Sequence, residues 1–118
     1  ALTIEIHPRY ADALLGLADY SHILVFYWFH NNDAPDRRAT LQVHPRGDRA
    51  NPLTGVFATH SPQRPNLIAL TRCELKAVTG TTLTVAGLDA MDGSPVVDIK
   101  GYIPGEPDPD QVRLPDWV

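Results

Sequence analysis

Residues 55–66 combine apolar residues, two prolines and several polar side chains that could contact a ligand. Pro62 and Pro65 fix their own φ angles, remove two backbone N–H donors and push the preceding residues toward extended geometry. The pattern therefore predicts a stiff, non-helical loop that leaves a strand and holds its polar groups in set directions. Such a loop loses little entropy on binding, which suits a binding site. A rigid surface turn would have the same spacing, however, and the spacing alone favours the two interpretations about equally. The polar side chains are His60, Arg64 and Asn66.

A second candidate is the loop from Gly87 to Ser94, which contains Asp89 and Asp92 followed by Gly93. Closely spaced carboxylates offer hydrogen-bond acceptors to a ligand. An Asp-x-x-Asp-Gly sequence is also an ordinary turn with solvated carboxylates. Taken by itself, the pattern favours the turn.

The sequence lacks several common chemical motifs. No glycine-rich dinucleotide or phosphate loop is present, and no Gly-x-Ser-x-Gly nucleophile elbow. Cys73 is the only cysteine, which excludes an internal disulfide and a thiolate zinc cluster. A histidine-based metal site is disfavoured, because the histidines lack a short ligand pair. The histidines considered are His22, His30, His44 and His60.

The charge distribution is uneven. The net charge of -4 argues against a globally basic nucleic-acid-binding protein. Between residues 37 and 76, however, seven basic residues stand against two acidic ones. That segment could form one basic patch that meets phosphates, or a set of solvated loop charges.

Hydrophobic periodicity predicts a mostly β protein with six or seven strands and one short amphipathic helix, over residues 9–19. Ser21–Phe29 is nearly all apolar and is predicted to be a strand buried on both faces. Thr79-Gly80 predicts a hairpin turn. This pattern is typical of a small barrel or sandwich. The other predicted strands are 3–7, 40–44, 55–58, 67–78, 81–86 and 96–102.

The length predicts a single domain over residues 1–118, with a proline-rich C-terminal extension from 104 to 118 onto which Trp117 could dock. No apolar run approaches the ~20 residues that span a bilayer. The first residues lack the features of a signal peptide. We therefore expect a cytoplasmic protein that is not associated with a membrane.

Three blocks of the sequence resemble the signature of the TsaA-like, or TrmO-type, family. They are SHILVFYWFH at 21–30, GVFATHSPQRPN at 55–66 and GLDAMDGSPVVDIKGY at 87–102. The blocks occur in the family's order and extend the resemblance over about residues 3–103. His60 replaces the family's usual arginine, and Leu67 and Gly101 replace prolines, which is expected to loosen two turns. The sequence starts at a point where family members usually already have an N-terminal strand.

The resemblance implies a small β-barrel that binds S-adenosylmethionine without a Rossmann fold, as a homodimer with the cofactor near the subunit interface. It also implies methylation of N6 of a threonylcarbamoyl-modified adenosine in the tRNA anticodon loop. Carried over residue by residue, it places the cofactor contacts at His30, Asn31, His60, Leu70, Asp89, Ala90, Met91 and Asp92.

Within that framework, Asp92 is the candidate general base, because the N6 of a carbamoylated adenosine is a poor nucleophile. Arg64 and Asn66 could orient the modified base. Other arginines could hold the tRNA backbone. Two alternatives stay open: a methyltransferase of the same fold that acts on a small molecule, and a non-catalytic module that binds S-adenosylmethionine or RNA. The backbone-contacting arginines are Arg37, Arg38, Arg46 and Arg49.

Overall fold

The computed structural model describes residues 1–105 and 107–118; Glu106, part of the predicted extension, lies outside the described residues. The described residues contain seven strands: β1 Leu2–Glu5, β2 His22–Trp28, β3 Gln42–Val43, β4 Thr54–Gly55, β5 Ile68–Thr79, β6 Thr82–Ala86 and β7 Val96–Gly101. Five of them form one antiparallel sheet in the order β1-β6-β5-β2-β7, and β3 pairs with β4 in a separate ribbon. The prediction of a mostly β fold is confirmed.

The predicted barrel is wrong, because the main sheet is open. β1 and β7 are its two edges and do not pair with each other. A cleft of ≈ 950 Å³, lined by residues of both edge strands, lies between them. A closed barrel needs hydrogen bonds around its whole circumference, and the β3–β4 ribbon stands outside the main sheet.

Alternation along the strands builds the core on one face of the sheet. In β5, Ala69, Cys73 and Leu75 are buried while Ile68 and Leu70 are exposed, as the period of two predicts. The hairpin at Gly80 connects β5 to β6, and Gly80 has the positive φ of 61° that its turn requires. The buried residues that pack together are Ile4, Ile23, Val25, Tyr27, Ala69, Cys73, Leu75, Leu83 and Val85.

The opposite face of β2 is only half-buried. Leu24, Phe26 and Trp28 alternate with the fully buried Ile23 and Val25. The expectation that β2 is buried on both faces is therefore wrong for its outer face. The outer face instead carries long polar side chains; the Lys100 ammonium lies 6.0 Å from the Phe26 ring centroid.

The predicted helix over residues 9–19 is two 3₁₀ helices, Pro8–Leu14 and Leu17–Asp19. Gly16 separates them with a φ of 85°, a conformation that an α-helix cannot contain. Each 3₁₀ helix contributes one apolar residue that packs on the core, Leu14 from the first and Leu17 from the second.

The only α-helix of the described residues, α1 (Pro35–Arg38), lies between β2 and β3, where no helix was predicted. Pro35 occupies its first turn, where a missing N–H costs nothing. The predicted strand at 55–58 ends at Gly55, and Val56–Ala58 form a 3₁₀ turn. The Thr59 hydroxyl closes that turn by donating to the Val56 carbonyl at 2.9 Å.

In the C-terminal extension, Pro109–Gln111 form one 3₁₀ turn, and Asp108 caps it by accepting from the Asp110 N–H at 3.0 Å. Trp117 is half-buried near the end of the chain. Across residues 1–105 and 107–118, no helix has the length and apolar character needed to cross a membrane.

Candidate functional site

A cavity of ≈ 680 Å³ lies where three chain segments meet beside β5, and we call it the junction cavity. The segments are the turn after β2, the proline-rich loop of residues 57–64 and the loop between β6 and β7. Each segment comes from one of the three sequence blocks described above. The cavity thus brings together side chains that are up to about 60 positions apart in the sequence.

The first wall is the turn that follows β2. Phe29 donates its N–H to the Leu67 carbonyl at 2.8 Å, and His30–Asn32 then form a 3₁₀ turn. His30 is half-buried in the cavity wall. Asn31 reaches across to the third wall, where its Nδ2 donates to the Met91 sulfur at 3.0 Å.

Arg38 joins this first wall to the proline-rich loop, a role that sequence reasoning did not find. Its Nε donates to the Pro65 carbonyl at 3.0 Å and its Nη1 to the Asp33 carboxylate at 3.2 Å. The guanidinium also lies 5.5 Å from the Trp28 ring centroid. The Trp28 indole N–H donates to Asp33 at 3.0 Å, and this bond, aided by Arg38, holds the pKa of Asp33 below its ordinary value. The Arg38 side chain thus contacts other parts of the protein and helps to hold the cavity walls together.

The second wall is the proline-rich loop, which is held by its own polar groups. The Thr59 hydroxyl accepts from the Ser61 N–H at 3.1 Å, and the Ser61 hydroxyl accepts from the Gln63 N–H at 3.2 Å. Arg64 turns back along the loop, and its Nη1 donates to the carbonyls of Thr59 at 3.0 Å and Ser61 at 3.2 Å. The loop is therefore stiff for the predicted reason and for a second one, the Arg64 bracket. His60 is exposed at its rim.

The third wall is the loop between β6 and β7. Gly87 and Gly93 both have φ of 82°, which allows the chain to turn sharply at each end. Leu88 and Ala90 are half-buried and pack against the core. The carboxylate-bearing Asp89 is exposed between them, at the junction cavity.

The junction cavity unites most of the predicted cofactor contacts. Two predicted residues, Ala90 and Asp92, line the neighbouring cleft between β1 and β7, while Met91 lines both spaces. Of the predicted substrate contacts, Arg64 lines the junction cavity, and Asn66 and Arg46 line neither space among the described residues. Six of the eight predicted cofactor residues line the junction cavity: His30, Asn31, His60, Leu70, Asp89 and Met91.

Two aromatic residues of the cavity, Phe57 and Tyr27, are among the lining residues that were not singled out from the sequence. Phe57 is 83% exposed although it is a large aromatic residue, and it lines the junction cavity beside His60 and Arg64. Its position directly after Gly55-Val56 in the middle block was the available signal. Tyr27 lies within the strand predicted at Ser21–Phe29, where nothing in its spacing distinguishes it from its apolar neighbours.

The histidines do not assemble a metal centre. No group of three or more His, Cys, Asp or Glu side chains in residues 1–105 and 107–118 is placed to hold a metal ion. Nδ1 of His44 bonds instead to the Asn51 carbonyl at 2.9 Å, within the loop after β3. Cys73 is a free, buried thiol of the core, and desolvation by that burial raises its pKa.

A family model described as the tRNA-methyltransferase O N-terminal domain matches residues 1–107. The chain belongs to this family. The resemblance carried by the three blocks is thereby confirmed, and the junction cavity is the place where this family member brings those blocks together.

Individual relatives support the assignment. An S-adenosyl-L-methionine-binding protein of Archaeoglobus fulgidus is 44% identical over 101 residues, which is 86% of this chain and 68% of that protein. The human tRNA (adenine(37)-N6)-methyltransferase is 41% identical over 103 residues, 87% of this chain but 23% of that protein. A crystal structure of TrmO from P. aeruginosa superposes with a TM-score of 0.73 at 30% identity and covers 98% of this chain. The chain spans 46% of that crystallised chain.

Proposed function

We propose that this protein is an S-adenosylmethionine-dependent methyltransferase that acts on N6 of adenosine in tRNA, at the position 3′ of the anticodon. The family and the names of its relatives support this activity: one is described as an S-adenosyl-L-methionine-binding protein and another as a tRNA (adenine(37)-N6)-methyltransferase. We further propose that the acceptor is the threonylcarbamoyl-modified adenosine and that the protein acts in the cytoplasm.

The observation that carries the proposal is the convergence of the three blocks on one cavity. Its ≈ 680 Å³ lies within the range of ~300–1,000 Å³ that is typical of small-molecule sites. Its lining also suits the methyl donor, since the Asp89 carboxylate and the exposed Phe57 ring are favourable neighbours for a sulfonium cation. When bound, S-adenosylmethionine supplies an electrophilic methyl group.

The protein's own task is then to position the acceptor nitrogen and to remove its proton. Positioning supplies most of the rate enhancement of an in-line transfer. Among carboxylates, Asp89 lines the junction cavity, whereas Asp92, three residues further along the same loop, lines the cleft. We retain Asp92 as the candidate general base and take Asp89 as the comparison carboxylate.

We propose that tRNA lies along the basic segment of residues 37–76. Arg37, Arg46 and Arg49 are exposed there. Arg46 is the only non-glycine residue of the described chain with a positive φ, 62°, so its backbone is strained. Phosphate contacts by such arginines require the anticodon loop to approach from this side. An unpaired loop base can then enter the cavity and stack on an aromatic ring.

We also propose a homodimer, as the resemblance implies. The outer face of the sheet leaves Ile68 50% and Leu70 56% exposed, next to the half-buried Trp28 and Phe26. Leu70 lies at the rim of the junction cavity. A partner subunit on this face would bury these side chains and stand next to the cofactor.

The test is transfer of a tritiated methyl group from S-adenosylmethionine to purified tRNA, followed by digestion to nucleosides and chromatography. The expected product is N6-methylated threonylcarbamoyladenosine, absent when the tRNA comes from cells that cannot add the threonylcarbamoyl group. Binding of tRNA should weaken steeply with salt. Asp92→Asn is expected to lower kcat with little change in S-adenosylmethionine affinity, and Asp89→Asn is expected to weaken that affinity.

Each alternative predicts a different outcome. A small-molecule methyltransferase would turn over without nucleic acid. A binding module would bind S-adenosylmethionine, with a thermal midpoint raised by roughly 10 °C at 100 times its Kd, yet transfer no label. Label in RNA at any nucleoside other than adenosine would refute the proposed specificity.

A further inference from the structure

Tyr27 occupies an unusual position between the core and the junction cavity. It lies on β2, is only 5% exposed, and packs its ring edge-on against Phe29, with centroids 5.9 Å apart. Its hydroxyl, however, leaves the core and bonds to the Asp89 carbonyl and to the Thr71 hydroxyl, which is 3.2 Å away. Tyr27 lines both the junction cavity and the cleft between β1 and β7.

The directions of these two hydrogen bonds follow from the donors available. A carbonyl only accepts, so the single Tyr27 proton goes to Asp89. The Thr71 hydroxyl must then be the donor of the second bond, with the Tyr27 oxygen as acceptor. The result is a directed chain from Thr71 on β5 through Tyr27 on β2 to the backbone of the loop between β6 and β7. Such chains strengthen each member by polarisation.

This chain fixes the middle of the loop by hydrogen bonding, in addition to the packing of Leu88 and Ala90 against the core. On one side the loop follows directly from β6, and on the other the Trp28 N–H donates to the Pro95 carbonyl at 2.9 Å. Between those ends, Gly87 and Gly93 make the backbone permissive. The remaining side-chain bond to the loop, from Asn31 to the Met91 sulfur, is exposed and joins a weak acceptor. Tyr27 is therefore the buried tether of the segment from Asp89 to Asp92.

We propose that Tyr27 is a positioning residue for the methyl donor: its hydroxyl holds the backbone at Asp89 so that the Asp89–Asp92 segment keeps the shape needed for binding. This inference rests on the proposed function and adds a residue that itself need not touch the cofactor. Because a preformed loop loses less entropy on binding, loss of the tether weakens cofactor affinity even though the Tyr27 ring stays in the cavity lining.

The test compares Tyr27→Phe with Thr71→Val in the intact protein. Tyr27→Phe keeps the ring and its packing but removes the proton donated to Asp89. Thr71→Val removes the other hydroxyl of the chain, which like that of Tyr27 belongs to a residue lining the junction cavity, and leaves the Tyr27–Asp89 bond. Isothermal titration with S-adenosylmethionine should give an approximately five- to tenfold higher Kd for Tyr27→Phe and less than a twofold change for Thr71→Val, since one net hydrogen bond corresponds to about that factor.

Two further readouts separate positioning from general destabilisation. Amide hydrogen exchange should accelerate in Tyr27→Phe at Ser94, whose N–H donates to the Met91 carbonyl of this loop at 3.0 Å, while the amides of β5 keep their protection. In the methyl-transfer assay, KM for S-adenosylmethionine should rise and KM for tRNA should not. Equal Kd values for wild type and Tyr27→Phe, or equal weakening by both variants, would overturn the inference. If wild-type protein binds no S-adenosylmethionine, the proposed function fails, and the exchange experiment still decides whether Tyr27 tethers the loop.

Discussion

Arg64 was predicted from the sequence to orient the substrate, whereas in the fold its side chain brackets its own loop. Nη1 donates to the carbonyls of Thr59 at 3.0 Å and Ser61 at 3.2 Å. Arg64→Ala removes both bonds and frees the segment that carries His60. The two roles predict different consequences of this substitution, so it tests how the cavity wall is built.

The magnitude follows from the geometry. A hydrogen bond from a charged donor is worth about 1.5–3 kcal/mol, but both bonds come from one nitrogen of a half-buried side chain, so we expect about 1–2 kcal/mol in total. For 118 residues, an unfolding entropy of about 2.1 cal/mol/K per residue makes 1 kcal/mol equivalent to about 4 °C. Arg64→Ala should therefore lower the thermal midpoint by about 4–8 °C.

The assay is differential scanning calorimetry, with Arg49→Ala as the matched control. Arg49 is an exposed arginine of another loop, and its removal should shift the midpoint by less than about 2 °C. The S-adenosylmethionine affinity of Arg64→Ala should fall as well, because the second wall of the cavity loosens. An unchanged midpoint combined with a raised KM for tRNA alone would refute the bracket and support direct substrate contact.

Three other predictions concern the surroundings of the site. Trp28→Phe should raise the Asp33 pKa toward its ordinary 3.8 in a carbon-13 NMR titration. Because the folded-state pKa is lowered, ionised Asp33 stabilises the fold at pH values above 3.8, and this contribution is lost as the pH falls through the folded-state pKa. Gly101→Ala should cost about 1–2 kcal/mol by urea denaturation, because a Cβ there would lie 2.3 Å from the Tyr20 ring, and the cost should shrink in a Tyr20→Ala background. Cys73 should react with a thiol reagent only slowly in the folded protein and rapidly in guanidinium, because burial raises its pKa; equal rates would contradict its core position.

Strands were predictable where a single face is buried. The alternation of β5 and the hairpin at Gly80 follow directly from side-chain period and turn chemistry. The barrel was not predictable, since closure depends on whether two edge strands meet, which no local pattern encodes. Gly101 was expected to loosen a turn, yet it lies in β7 and accommodates the Tyr20 ring, because a glycine also permits close packing.

The sequence indicated several residues that gather at the junction cavity, but not how the walls of the cavity are held together. The blocks indicated His30, His60 and Asp89, and the fold places all three at one cavity. The side chains that hold the walls were not predictable, because Arg38 and Tyr27 act on backbone carbonyls that are 27 and 62 positions away. Such long-range bonds to main-chain atoms leave no signature in residue type or spacing.

The central claim is that the junction cavity holds the methyl donor, and its most direct test is a titration of the ¹⁵N-labelled 13.0 kDa protein with S-adenosylmethionine, followed by amide NMR shifts. The account predicts that saturable shifts cluster at His30, His60 and Asp89, at the lining of the junction cavity, with no comparable cluster elsewhere. Shifts concentrated at Ile4 and Leu17, in the cleft between β1 and β7, or no shifts at all, would contradict it.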